Sequence, residues 1–174
     1  EGSLSLNDSE VSGNATFGNH GASGGGIYAT GQLTILNSEV HSNEATGYDG
    51  STSGVGITAT GTSYIASSTF VANAIGLINS DNDPESVPAI GNYGTMTIAN
   101  STVSGNNLLG VDNHDYLTIS NSTITNNMIG VHAACYDSTT QLRRTIVSGN
   151  TESEVLLPGD GYGECPTAIS VNSH

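Results

Sequence analysis

The chain of 174 residues has no lysine and no tryptophan, two arginines, and only 5% aromatic residues. Two Arg against sixteen Asp and Glu give a formal charge of −14. So acidic a surface repels phosphate backbones, which argues against nucleic acid as a partner. An anionic membrane surface is disfavoured for the same reason. No apolar run reaches the roughly 18 residues of a spanning helix, so no direct membrane insertion of that kind is expected. Residue 1 is Glu, and no charged-then-apolar leader follows, which suggests a mature, processed or excised chain. An acidic, lysine-free surface suits solubility outside a cell, divalent cations or a basic partner.

Only 35% of residues are hydrophobic, yet Gly numbers 23. Low aromatic content with much Gly, Ser, Thr and Asn is a composition of disordered chains. It is equally that of a solenoid whose core is a thin column of small apolar side chains. Regularly spaced β-branched residues favour the second. The length fits one domain.

The stretch "TMTIANSTVSGN" (95–106) returns 21 residues later as "YLTISNSTITNN" (116–127). Aligning each copy on its last Asn gives Asn14, Asn43, Asn73, Asn106, Asn127 and Asn150, spaced 29, 30, 33, 21 and 23. Three residues earlier stand Val11, Val40, Phe70, Val103, Ile124 and Val147. Eight earlier stand Leu6, Ile35, Ile65, Ile98, Ile119 and Leu142. Ten earlier come Leu4, Leu33, Ser63, Met96, Leu117 and Thr140, apolar except at Ser63 and Thr140. Five earlier there is always a small hydroxyl residue, from Ser9 to Thr145, which permits a tight bend. Polar residues such as Thr34, Thr97 and Thr118 alternate with the apolar ones. Period-two alternation broken by turn residues predicts short strands, not amphipathic helices.

A third inward position follows the Asn: Gly26-Ile27, Gly56-Ile57, Gly110-Val111 and Gly130-Val131. In the third copy both Leu77 and Ile90 are candidates for it. Gly31, Gly61 and Gly94 mark a turn expected to need a positive φ. A unit of about 21 residues with three short strands is one turn of a parallel β-helix. Stacked turns put like residues about 4.8 Å apart, and the repeated Asn side chains are then expected to form a structural ladder. Residues 1–150 form about six such coils, with surface loops at 15–26, 44–56 and 78–90. Residues 151–174 leave the repeat as a cap or tail. Cys135 and Cys165 are an even pair compatible with one disulfide in an oxidising compartment, or else two buried thiols. Closing that loop would be worth roughly 3–4 kcal/mol.

"GGGIYATGQLTILNSEVHSN" and "TMTIANSTVSGN" resemble the right-handed parallel β-helix repeats of secreted bacterial and archaeal surface proteins, with a pectate-lyase-like architecture. "FVAN" at Phe70–Asn73 and "GGI" at Gly25–Ile27 look like the FxxN and GGA[IL] signatures of polymorphic outer-membrane adhesins. "RRTIVSGNT" with the late Cys165 is similar to the last coil of anchored β-helix surface proteins. The resemblance covers residues 3–150. It implies an all-β, single-stranded right-handed solenoid. Relatives of this kind are mostly adhesins and filament-like stalks, with polysaccharide lyases and hydrolases among others sharing the helix.

Few residues offer chemistry. A lyase on this fold would need Arg143 or Arg144 as base, and their neighbours in register, Ser120 and Ala99, are not acidic. Glu10 and Glu39 share one outward row, with nothing basic expected beside them. Asp81, Asp83 and Glu85 in "DNDPE" offer oxygen ligands for Ca²⁺, with Asp112 and Asp115 as additions if the loop folds down. The five histidines show no metal-ligand spacing. Thr34, Thr97 and Thr118 form a broken outward rank, and Tyr64 occupies an exposed strand position that would favour sugar. The expected function is therefore a non-enzymatic extracellular structural or adhesive element without a resident cofactor. Its partner would be itself by end-to-end coil stacking or a longer parent chain, with surface glycans or proteins as ligands. A carbohydrate-active enzyme or binding module on the same scaffold is the alternative.

Overall fold

A computed structural model describes residues 2–18, 21–47, 53–76, 87–107, 109–134, 138–157 and 168–172. Among them every regular element is a β-strand, and no helix is long and apolar enough to cross a membrane. The chain passes through the same directions again and again. The first circuit is β1 (Ser3–Asn7), β2 (Glu10–Ser12), β3 (Ala15–Gly18) and β4 (Ile27–Ala29). The second is β5 (Gln32–Leu36), β6 (Glu39–His41), β7 (Glu44–Gly47) and β8 (Ile57–Ala59). The third is β9 (Thr62–Ala66), β10 (Thr69–Val71), β11 (Ala74–Ile75) and β12 (Pro88–Asn92).

Later circuits are shorter: β13 (Thr95–Ala99), β14 (Thr102–Ser104), β15 (Leu109–Asn113), then β16 (Tyr116–Ser120), β17 (Thr123–Thr125), β18 (Ile129–Ala133). The chain continues through β19 (Thr139–Arg143), β20 (Ile146–Val147), β21 (Ser153–Leu156) and β22 (Ala168–Asn172). The first sheet runs β1-β5-β9-β13-β16-β19-β22 and the second β2-β6-β10-β14-β17-β20. A short third sheet holds β3, β7 and β11, and the fourth runs β4-β8-β12-β15-β18-β21. The strands within each sheet pair in parallel, as in a parallel β-helix.

Inside the stack like residues meet. Leu6, Ile35, Ile65, Ile98, Ile119 and Leu142 are consecutive partners across the first sheet. The second sheet adds the column from Val11 through Val40, Phe70 and Val103 to Ile124 and Val147. The fourth contributes Ile27, Ile57, Ile90, Val111, Val131 and Val155, so Ile90 is the third copy's member of this column. These side chains form one core. Its interior members are sealed, with Ile35, Ile65 and Ile119 at 0% exposure, because each is covered from both neighbouring circuits.

Sharp corners join the sheets. Asp8, Asn37, Ser67, Asn100, Asn121 and Arg144 all have φ of 47–52° at the corner after the first sheet. Asn tolerates this left-handed conformation better than most residues. Asn100 and Asn121 therefore serve the corner.

Several expectations change. Residues 15–26 and 44–56 are not loops throughout: they begin with β3 and β7, and β7 pairs with β3 on one side and β11 on the other. Extra residues between Asn and Gly make room for a third sheet, so it exists only in the long copies. Ala22, Ala45, Val55 and Val87 form a second small core beside it. Residues 88–90 of the third expected loop belong to β12. Within 151–174, Ser153–Leu156 and Ala168–Asn172 continue the sheets, since β21 pairs with β18 and β22 with β19. Gly31, Gly61 and Gly94 are not among the positive-φ residues. A Cβ on Gly61 would run into the Gly31 carbonyl oxygen, and one on Gly94 into that of Gly61. Close approach of stacked turns, not φ, requires glycine there.

The two polar intruders in the leading column differ. Thr140 Oγ1 accepts from Asn113 Nδ2 at 3.0 Å, whereas Ser63 Oγ is buried without a partner among the described residues. Ser63→Ala should therefore hold or raise stability, by up to about 1 kcal/mol, since it removes an unpaired hydroxyl. Ile119→Ala should cost about 2–5 kcal/mol by leaving a cavity. Denaturant midpoints of the two variants should move in opposite directions or leave only Ile119→Ala shifted.

Candidate functional site: the ladder ends and a histidine–aspartate cluster

The repeated asparagines stand on top of one another at the corner after the second sheet. Asn14 Nδ2 donates to Asn43 Oδ1 at 2.9 Å, and Asn43 Nδ2 to Asn73 Oδ1 at 3.0 Å. Asn73, Asn106 and Asn127 continue to Asn106, Asn127 and Asn150 at 3.2, 2.9 and 3.2 Å. Each acceptor oxygen also takes the backbone N–H of the preceding Asn. The second amide hydrogen goes to a carbonyl of the preceding circuit, for example Asn106 Nδ2 to Phe70 O. An interior amide thus uses both donors and both lone pairs, and burial costs it nothing in unmade bonds.

A second ladder runs through the hydroxyl residues. Ser9, Ser38, Ser68 and Ser101 each donate their backbone N–H to the Oγ of the next copy's serine. That oxygen in turn donates two residues back, as Ser101 does to Ala99 O at 2.7 Å. Small size alone had explained these serines; hydrogen bonding is the stronger reason. The bridging hydroxyl satisfies two backbone groups that the bend leaves unpaired.

Both ladders point one way. Each Asn-to-Asn bond, and each bond from a backbone N–H to an Asn or Ser side-chain oxygen, runs from the earlier copy to the later. At the first circuit Asn14 Oδ1 receives no hydrogen bond among the described residues. At the far end the donors of Gly149 N and Asn150 Nδ2 are met by Glu154 Oε1 and Oε2 at 2.9 and 2.6 Å. Glu154 lies in register with Gly130, and through it with Gly110. A Cβ on Gly130 would stand 2.7 Å from Asn150 Nδ2, and within the stack the column holds nothing larger than glycine and, in the third copy, Ala89. Beyond the last Asn there is room, and a carboxylate closes the ladder.

One polar cluster lies outside these ladders. Asp112, on the outer side of β15, is 4% exposed. His114 Nε2 and His132 Nδ1 each stand 2.8 Å from one of its carboxylate oxygens. Tyr93 stacks on His114 with ring centroids 4.4 Å apart. Burial drives the Asp112 carboxyl up, but hydrogen bonds and charge from His114 and His132 outweigh it and hold the group below the ordinary carboxylate range. Burial and the nearby Asp112 push the Tyr93 hydroxyl up to about 12. With both oxygens occupied by imidazoles, Asp112 is no open Ca²⁺ ligand. Sequence spacing missed this cluster, yet its signal is present: Asp112 follows Val111 as His132 follows Val131.

Asp81, Asp83 and Glu85 lie outside the described residues, as do Cys135 and Cys165. Among the described residues no group of three or more His, Cys, Asp or Glu is arranged to hold a metal. Arg143 is exposed on its row beside Ser120, and its Nη2 donates to Gln141 Oε1 at 2.7 Å. The pair Glu10 and Glu39 does stand in register, but a basic group joins it after all: His41 Nε2 lies 2.9 Å from Glu10 Oε1. The bonds from Ser12 and His41 lower the Glu10 carboxyl.

Comparison with family models, with curated proteins and with solved structures gives no match for the chain.

The lowered Asp112 fixes the sign of a pH effect. Its folded value lies below the unfolded one, about 3.9, so its contribution is complete above that pH and is lost as pH falls through the folded value. Asp112→Asn should cost about 1.5–3 kcal/mol at neutral pH, as for hydrogen bonds to a charged group. It should also flatten the acid limb of stability measured by denaturant unfolding between pH 7 and pH 2.

Proposed function

We propose that the chain is a non-enzymatic, extracellular structural or adhesive element: about six coils of a right-handed parallel β-helix. In this reading it serves as a segment of a cell-surface protein or as a subunit of an extracellular filament. The face made by β1, β2, β3 and β4 is its joining surface. The observation that carries this is Leu4. Its column is sealed at Leu33, Ser63, Met96 and Leu117, with exposures of 1–3%, yet Leu4 itself is 40% exposed. Unpaired edges of parallel strands template further pairing. The open Asn14 oxygen marks where a further donor fits, and a contact of this kind is heterologous, not two-fold.

A separate feature, two exposed tyrosines on the first sheet, favours a carbohydrate-binding role on the same scaffold.

Negative-stain images and the mass of native material test the joining surface. Filaments, or a chain longer than 174 residues, are the expected result. A native product of this size that stays a monodisperse monomer overturns the reading. Sedimentation of Glu154→Ala adds a second measure. Freeing the Gly149 and Asn150 donors should increase end-to-end association, and Leu4→Asp in the same chain should abolish the increase.

A further inference from the structure

Three outward rows cover the first sheet. One runs Ser3, Gln32, Thr62, Thr95, Tyr116, Thr139, and the next contains Tyr64 between Thr34 and Thr97. From β1 to β19 not one outward residue is Asp or Glu, and Arg143 is the sole charge. The face is thus nearly neutral in a chain that carries sixteen acids. The second sheet, by contrast, places Glu10 and Glu39 outward in one row.

Aromatic rings stand out of this neutral face. Tyr64 is 46% exposed and Tyr116 57%. One strand, β13, separates them, and they are offset by two residues. Strand spacing and rise put their Cα atoms about 12 Å apart, close to the length of a disaccharide. A groove of about 560 Å³ runs along the adjoining corner, lined by Ser3, Thr30, Gln32, Thr60 and Thr62 with intervening glycines. Among the described residues its lining carries no charge. Hydroxyls and side-chain amides line both surfaces.

We propose that the outer face of the first sheet binds a neutral, extended polysaccharide. Tyr64 and Tyr116 act as platforms for the apolar faces of two sugar rings, and flanking Thr and Gln side chains exchange hydrogen bonds with ring hydroxyls. Tyr supplies a large amphipathic contact at low entropic cost. An open sheet face of parallel rows suits an extended polymer better than an enclosed monosaccharide. An anionic polymer would meet one Arg and a strongly negative molecule, so charge selects the uncharged ligand. This face lies along the side of the stack, and its role is independent of end-to-end joining.

Insoluble cellulose and chitin, as neutral β-linked probes, test the proposal, with polygalacturonate as the anionic comparison. The wild-type chain should be retained on at least one neutral polymer, and molar salt should not release it. Tyr64→Ala and Tyr116→Ala should each weaken retention several-fold, and the double variant should lose it. Ile146→Ala, exposed on the second sheet, should bind as wild type. All four variants change exposed side chains, and their melting temperatures report that the fold is kept. Absence of retention on both neutral polymers overturns the proposal. So does retention that survives the double substitution, or retention on polygalacturonate alone with release by salt.

Discussion

The buried carboxamide ladder is the constraint on which the rest of this structure depends. Each interior Asn must find two acceptors and two donors, and a stacked Asn one circuit away provides the matching half. An Asp would lose both donors, and a Gln would carry its amide a methylene too far. The ladder therefore fixes which residue lies over which, whether 21 or 33 residues separate the copies. It also dictates the neighbouring column. A Cβ on Gly110 would meet Gly130 O at 2.6 Å and Asn127 Nδ2 at 3.0 Å. The Gly-Ile and Gly-Val pairs are the steric imprint of the amides beside them, and the aliphatic residue that follows falls into the core.

Because the amide is asymmetric, a ladder of them has direction, and the two ends of the stack are chemically unlike. The early end offers an acceptor, and the late end would offer donors. Glu154 meets those donors with a carboxylate, a stronger acceptor than an amide oxygen. Its charge would also face the acidic first circuit, with Asp8 and Glu10, were one copy to stack on another. Of the two forms of end-to-end joining, a longer stack reaching the first circuit is thus easier than a polymer of identical copies, which must displace Glu154 at each junction.

The core was legible because its signal is repeated: Ile98 and Ile119 stand at the same place in the same phrase, and register follows from repetition. Chemistry made by stacking was less so. The asparagines announced themselves by recurrence, but the serines looked merely small, since a hydroxyl's partner lies a full circuit away. The third sheet was hidden because "ATFG" and "AI" are too short to alternate, and only the pairing with β7 makes strands of them. Glu154 was hidden because it breaks the Gly pattern beyond the last amide of the ladder, where the pattern is no longer needed. The His114–Asp112–His132 cluster needed the fourth sheet's register, which Val111 and Val131 had already fixed.

Outward positions are where this architecture leaves choice. Inward residues and corners are prescribed by packing and by the two ladders, whereas an outward side chain on a parallel strand meets only its row neighbours and water. Composition on those rows therefore carries information that composition in the core cannot. Acids repel when stacked about 4.8 Å apart, so sparse acids on any row have a structural reason. That reason does not account for the first sheet, where charge is nearly absent while two tyrosines remain exposed at some cost in apolar surface. A bare solvated face would more cheaply carry charges of alternating sign. The combination of neutrality and aromatic platforms is what an uncharged ligand selects.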